Sequence, residues 1–119
     1  MIRVQREDFD VGAEIATLNG RDVGALALFV GLVRGTDGTT PIGAMTLEHY
    51  SGMTEKKLAE IEAEARRRWP LQDCLVIHRY GRLEPGERIV LVITASSHRQ
   101  AALESCAFLI DWLKTSAPF

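Results

Sequence analysis

Apolar positions change their spacing several times along the chain, and each change marks an element. Ile2-Arg3-Val4-Gln5 alternates as a short strand. Asp8 or Asp10 is placed to cap a helix that carries Val11, Ile15 and Leu18 on one face, with Asn19-Gly20 as its stop. Gly24 to Arg34 (GALALFVGLVR) is apolar at odd and even positions alike, the pattern of a central strand covered on both faces. Gly, Thr, Asp and Pro over 35–41 predict a loop, and Gly43 to Tyr50 predicts the next strand. From Met53 to Trp69 the residues Leu58, Ile61, Ala65 and Trp69 recur at helical spacing, and Pro70 ends the run.

Cys74 to Tyr80 and Arg88 to Ala95 read as strands joined at Glu84-Pro85-Gly86-Glu87. Pro then Gly at the two central positions suits a type II turn, so the pair is expected to form a hairpin or near-hairpin. The last helix is predicted from about Arg99 to Lys114, with Pro118 limiting its extension. The resulting order is β-α-β-β-α-β-β-α. Strands mostly adjacent in sequence, with helices between, define an α+β class: a mixed sheet with about three packed helices.

Length confines these elements to a single domain over 1–119, with enough chain for a hydrophobic core. A net charge of −2 gives no overall field for nucleic acid or an anionic membrane, so neither is expected as a partner. The longest apolar stretch, around Ala25 to Val33, is too short to span a bilayer, and MIRVQREDFD has no hydrophobic signal core. Cys74 and Cys106 lie in separate apolar runs and read as buried free thiols of a cytoplasmic protein. His49, His78 and His98 have no metal-ligand spacing among themselves or with the cysteines, and neither metal nor cofactor is expected. Eleven arginines stand against three lysines, a skew that favours oxyanion ligands or merely reflects arginine-rich codons.

Chemistry concentrates where buried elements meet in polar junctions. Ser96-Ser97-His98-Arg99 lies between an apolar strand and an apolar helix, and free amides at a helix start attract an anion. Positive side chains at that end oppose the helix dipole, so something negative should offset His98 and Arg99: a ligand, or a carboxylate such as Glu104. Arg34 closes the apolar strand beside Gly35; it either reaches a bound anion or marks where the strand meets water. Lys114 continues an apolar helix face after Leu103, Ala107 and Ile110, and it also suits a last turn for dipole reasons alone. Glu48, His49 and Tyr50 read as polar positions of a strand, His78-Arg79 as a structural pair at a strand end. Glu62 and Arg66 are spaced to pair along one helix face.

In order along the chain, Phe29-Val30-Gly31-Leu32-Val33-Arg34, Leu47-Glu48-His49-Tyr50 with Met53, and His78-Arg79-Tyr80-Gly81-Arg82-Leu83 with Gly86-Glu87 form a specific set. Ser97-His98-Arg99 and Asp111-Trp112-Leu113-Lys114 with Pro118-Phe119 complete it. The chain thereby resembles the large, catalytic subunit of molybdopterin synthase over nearly its whole length. The resemblance implies an α/β-hammerhead-like fold and a homodimer core with a small ubiquitin-like sulfur-carrier subunit at each end, making a heterotetramer. It implies sulfur transfer from the carrier's C-terminal thiocarboxylate to cyclic pyranopterin monophosphate, twice, to build the dithiolene of molybdopterin. Arg34, His98 and Arg99 are then expected to bind substrate, Lys114 to be catalytic beside the carrier's terminal carbonyl, and the neighbouring protomer to supply part of each pocket. Family members continue past Pro-Phe into Trp-Lys, whose lysine is functional; the sequence here runs to Phe119.

The expected chemistry matches these residue types. A thiocarboxylate is already a sulfur nucleophile, so the protein need supply only positive charge for phosphate and developing oxyanions, and proximity. Two other readings use the same arginines. One is a non-catalytic anion-binding regulatory or partner-binding α+β module. The other is a small acylphosphate hydrolase, suggested by Gly31-Leu32-Val33-Arg34-Gly35 but lacking the further Phe-Arg and Asn context.

Overall fold

The computed structural model describes residues 1–18 and 20–115. Its centre is a four-stranded mixed sheet in the order β1-β6-β8-β2, from Ile2–Gln5, Leu71–Arg79, Arg88–Ser96 and Ala25–Leu32. Strand β1 runs parallel to β6, and the other pairs are antiparallel. The two inner strands are the most continuously apolar, with Cys74 to Arg79 and Val90 to Ser96 all buried. Burial on both faces is what those runs require.

Three helices accompany the sheet, in agreement with the predicted α+β class. Helix α1 (Val11–Ala16) is capped by the Asp10 carboxylate, which accepts from the Ala13 amide. Asn19, the predicted stop, lies outside the described residues. Helix α2 (Met53–Arg68) buries Leu58, Ile61 and Ala65, and Trp69 closes it in extended conformation before Pro70. Glu62 accepts from Arg66 at 3.1 Å, as their spacing predicts. Helix α3 (Arg99–Thr115) buries Ala101, Ala102, Ser105, Cys106 and Leu109. It packs with Ile61, Ala65, Cys74, Val76, Val90 and Val92 into the main core. The opposite face of the sheet holds a smaller core of Phe9, Leu18, Leu75, Ile77, Leu91 and Ile93. Both cysteines are free and buried, and burial pushes the Cys74 thiol up to about 12. No helix among the described residues is long and apolar enough to cross a membrane.

The sheet corrects the expectation for Gly24 to Arg34. Strand β2 is an edge strand, not a central one. Helix α3 covers one face of it through Ala27 and Phe29. Helix α1 has only six residues and leaves the other face open, so Leu26, Leu28 and Leu32 are exposed. Apolar residues on both faces of β2 therefore do not mean that this chain alone covers both.

The predicted loop at 35–41 contains a two-stranded ribbon, β3 (Thr36–Asp37) with β4 (Thr40–Pro41), turned at Gly38 with φ 63°. The strand expected over Gly43 to Tyr50 shrinks to β5 (Met45–Leu47), which pairs with β7 (Gly81–Leu83). Glu48, His49 and Tyr50 lie beyond it, so alternation along a strand does not describe them. Strands β6 and β8 pair as a hairpin would, with β7 interposed before the turn. That turn closes through the Glu87 amide to the Glu84 carbonyl at 3.0 Å, with Gly86 at φ 89° as a type II turn requires.

Candidate functional site

A cavity of about 840 Å³ opens where the C-terminal end of β2 meets the C-terminal end of α3. Its floor crosses three strands in register: His78 on β6 opposes Val90 on β8, which opposes Gly31 on β2. Gly31 is needed there, because a Cβ would stand 2.6 Å from a Val90 methyl. Phe29, Ile89, Ile110 and Leu113 form apolar walls, and Leu32 and Met45 lie at the lining from β2 and β5. Arg34 and Lys114 supply its charge.

Each cation is positioned by backbone structure. The Val33 amide donates to the Glu87 carbonyl at 2.9 Å, and the Gly86 amide donates to the Val33 carbonyl at 2.8 Å. The type II turn thus ties down the strand end from which Arg34 projects. Lys114 lies in the last turn of α3 and places Nζ 5.7 Å from the centre of the Phe29 ring. Both cations are exposed. No carboxylate lines the cavity among the described residues. The site therefore favours an anion with an apolar or planar body.

His98 and Arg99 are exposed at the other end of α3. Fifteen residues of helix separate Arg99 from Lys114, about 22 Å at the usual rise. Within one chain the structure unites Arg34 with Lys114 and leaves His98-Arg99 apart. The polar junction is nonetheless ordered. Ser97 Oγ accepts from Gln72 Nε2 at 2.9 Å, Ser96 Oγ donates to the Pro70 carbonyl at 2.9 Å, and Gly24 N donates to the Ser96 carbonyl at 3.0 Å. Glu104, the carboxylate considered as a partner for Arg99, instead accepts from Trp69 and Gln100. Neither His98 nor Arg99 forms an ion pair among the described residues.

His78 and Arg79 do more than mark a strand end. Arg79 is buried, and its guanidinium donates to the Arg6 carbonyl at 3.0 Å and the Arg88 carbonyl at 2.8 Å, with Glu87 at 3.4 Å. His78 is buried in the cavity wall, and burial lowers its imidazole to about 4, keeping it neutral. Sequence reasoning missed His78, Phe29, Gly31 and Met45 as lining residues. The available signal was alternation: Cys74, Val76 and His78 must share the face that meets α3.

Glu48, His49 and Tyr50 sit apart, at a second cleft with Arg6, Tyr80 and Arg82. Glu48 accepts from the Tyr50 hydroxyl at 2.9 Å, and this raises the Tyr50 phenol above its ordinary value. His49 stacks on Tyr80 with ring centres 4.5 Å apart. No group of His, Cys, Asp and Glu among the described residues is arranged to hold a metal ion.

The fold is that of a mixed-sheet α+β domain whose cavity, among the described residues, carries two cations and no carboxylate. Comparison with known proteins makes the class specific. The family described as MoaE protein matches residues 4–116. The molybdopterin synthase catalytic subunit of Mesorhizobium japonicum is 57% identical over 120 residues, covering 99% of this chain and 74% of that one. The solved structure of the molybdopterin biosynthesis MoaE protein from Burkholderia ambifaria superposes with a TM-score of 0.89 at 54% identity, over 98% of this chain and 78% of that one. A complex of subunits 1 and 2 of molybdopterin-converting factor from Helicobacter pylori shares the fold at a TM-score of 0.81 and 21% identity, over 98% and 80% of the chains. The chain belongs to the MoaE family, the enzymes named as catalytic subunits of molybdopterin synthase.

Proposed function

We propose that this chain transfers sulfur from the thiocarboxylated C-terminus of a small ubiquitin-like carrier subunit to cyclic pyranopterin monophosphate in the cytoplasm. The observation that carries this reading is the meeting of Arg34 and Lys114 at one cavity with apolar walls and, among the described residues, no lining carboxylate. The carrier sulfur attacks a side-chain carbon of the pterin, forming a carbon–sulfur bond as a carbon–oxygen bond at that carbon breaks and its electron pair leaves with the oxygen. Water then cleaves the acyl–sulfur bond, leaving sulfur on the pterin and a carboxylate on the carrier. Two such rounds give the dithiolene.

Lys114 is the catalytic residue in this scheme. Its ammonium faces the oxyanion that develops on the carrier's terminal carbonyl, in a setting where apolar walls strengthen the interaction. Arg34 binds the substrate's anionic group. Neither role needs a nucleophile from the protein, in keeping with the inert, buried thiols of Cys74 and Cys106.

His98 and Arg99 enter through a homodimer. The free edge of β2 and the exposed Leu26, Leu28 and Leu32 support pairing with a second copy. Two-fold pairing is antiparallel along such an edge. The beginning of β2 lies beside the Ser96–Arg99 junction, since Ala25 opposes Ser96, while its end leads to Arg34. Antiparallel pairing therefore brings His98-Arg99 of one copy toward Arg34 and Lys114 of the other. With a carrier at each end the assembly is a heterotetramer.

Purified protein, thiocarboxylated carrier and cyclic pyranopterin monophosphate should together yield dithiolene product. Ligand and carrier binding without product would replace the sulfurtransferase reading with that of a non-catalytic anion-binding module.

A further inference from the structure

Arg34 is one of the cavity's two cations, and among the described residues its guanidinium has no hydrogen-bond or ion-pair partner to aim it. Its position therefore comes from the backbone beneath it. On one side Val33 is tied to the 84–87 turn twice, through the Glu87 carbonyl and the Gly86 amide. On the other, Gly35 lies against the same turn, where a Cβ would stand 3.6 Å from Pro85 Cβ. The Gly35 carbonyl also accepts from the Ile42 amide at 2.8 Å. Arg34 is only as well placed as that turn.

The turn is closed by more than its backbone. Besides the Glu87 amide bond to the Glu84 carbonyl, the Glu87 carboxylate reaches back, and its Oε2 accepts from the Glu84 amide at 2.6 Å. Its other oxygen, Oε1, faces Arg79 Nη1 at 3.4 Å, nearer than Asp8 at 3.9 Å. Asp8 is engaged by Arg88, at 2.8 and 3.1 Å. Arg79 is buried and bonded to the Arg6 and Arg88 carbonyls, so Glu87 fastens a surface turn to a cation fixed in the sheet.

We propose that Glu87 is a positioning residue for Arg34: its carboxylate locks the 84–87 turn onto Arg79, and the turn holds Arg34 where the substrate's anionic group binds. The proposal rests on the sulfur-transfer reading for the identity of that group. A carboxylate serving only to neutralise Arg79 could sit anywhere around it. This one spans the turn, and its own residue supplies the carbonyl that fixes Val33. Without it Arg34 samples more positions, and a loosely placed cation binds its anion less well. The step at the carrier carbonyl, which falls to Lys114, changes little.

A double-mutant cycle in the full complex with the carrier subunit tests this. Glu87→Ala should raise KM for cyclic pyranopterin monophosphate about five-fold while kcat changes by less than about two-fold. Glu87→Gln, which keeps an acceptor of the same reach, should recover most of the loss. In an Arg34→Ala background, Glu87→Ala should cost almost nothing further, because the residue it positions is gone. Hydrogen exchange supplies a readout without substrate. The Val33 and Gly86 amides should exchange about ten-fold faster in Glu87→Ala, with amides in the middle of α3 unchanged. If the alanine variant fails to fold, Glu87→Asp, one methylene short of meeting both partners, carries the same comparisons. A wild-type KM in either folded variant would overturn the proposal, as would a fully additive loss in the Arg34→Ala background. Unchanged exchange at Val33 and Gly86 would overturn it as well. Absence of product from the wild-type mixture instead defeats the sulfur-transfer reading, and the exchange rates still decide whether Glu87 holds the backbone at Arg34.

Discussion

Lys114 Nζ stands 5.7 Å from the centre of the Phe29 ring, so a cation from the end of α3 rests over an aromatic face from β2. The ring limits where the ammonium can go while leaving its N–H groups available. Replacing Lys114 by Ala should lower kcat by about 10²–10³-fold, the usual effect of losing one oxyanion donor. The carrier complex should survive, as judged by co-elution. Full turnover by Lys114→Ala would remove the lysine from the mechanism.

Arg99 lies about 22 Å along α3 from Lys114 and can share a site with it only across a protomer boundary. Lys114→Ala and Arg99→Ala proteins should each be nearly inactive alone. Unfolded together and refolded as mixed dimers, they should regain about a quarter of wild-type turnover, because half the dimers hold one intact site. No recovery, with heterodimers confirmed by mass, would count against a site shared in this way.

Leu28 occupies the uncovered face of β2. Leu28→Asp places a charge on an apolar surface proposed to be covered by a second copy, and sedimentation should show monomer where the parent is dimeric. Turnover should fall with dimer content. An unchanged dimer would move the interface elsewhere.

Buried His78 makes stability depend on pH. Its folded pKa of about 4 lies below the ordinary 6.5, so in mildly acidic solution the unfolded chain takes up a proton that the folded chain refuses. The associated stability is complete above pH 6.5 and is lost as pH falls toward 4, by on the order of 3 kcal/mol. Denaturant titrations at pH 7 and pH 4.5 should show that loss, and His78→Gln should reduce it.

Gly24 passes so close to the Ser97 carbonyl oxygen that a Cβ would collide with backbone. Gly24→Ala should therefore destabilise the fold by about 2–4 kcal/mol, visible as a lowered Tm. Gly43, which meets nothing within 4 Å, is the matched control and should tolerate Ala.

The elements that were legible in the sequence are those whose spacing leaves one solution. Leu58, Ile61 and Ala65 define α2, and the unbroken run from Ile89 to Ala95 defines β8. Strand β2 has the same apolar character and was misplaced, because burial by a neighbouring element and exposure at a sheet edge produce the same letters. Strands β3, β4 and β7 have two or three residues each, too short for a periodic signal. Arg34 and Lys114 were singled out from strand and helix ends, and the structure brings both to one cavity. Their distance from His98-Arg99 was already implied by the single helix predicted from about Arg99 to Lys114, which the structure shows as α3. His78 was read as structural since its neighbour Arg79 indeed is; alternation along β6 was the clue to its different surroundings.

The bonds of Arg79 link residues more than seventy positions apart, fastening the backbone at Arg6 and Arg88 beside the histidine of the cavity floor. Changes near the N-terminus are thus able to alter catalytic behaviour from outside the pocket. A laboratory survey that ranks positions by nearness to the ligand would overlook Arg6, whereas one that follows this buried guanidinium would find it.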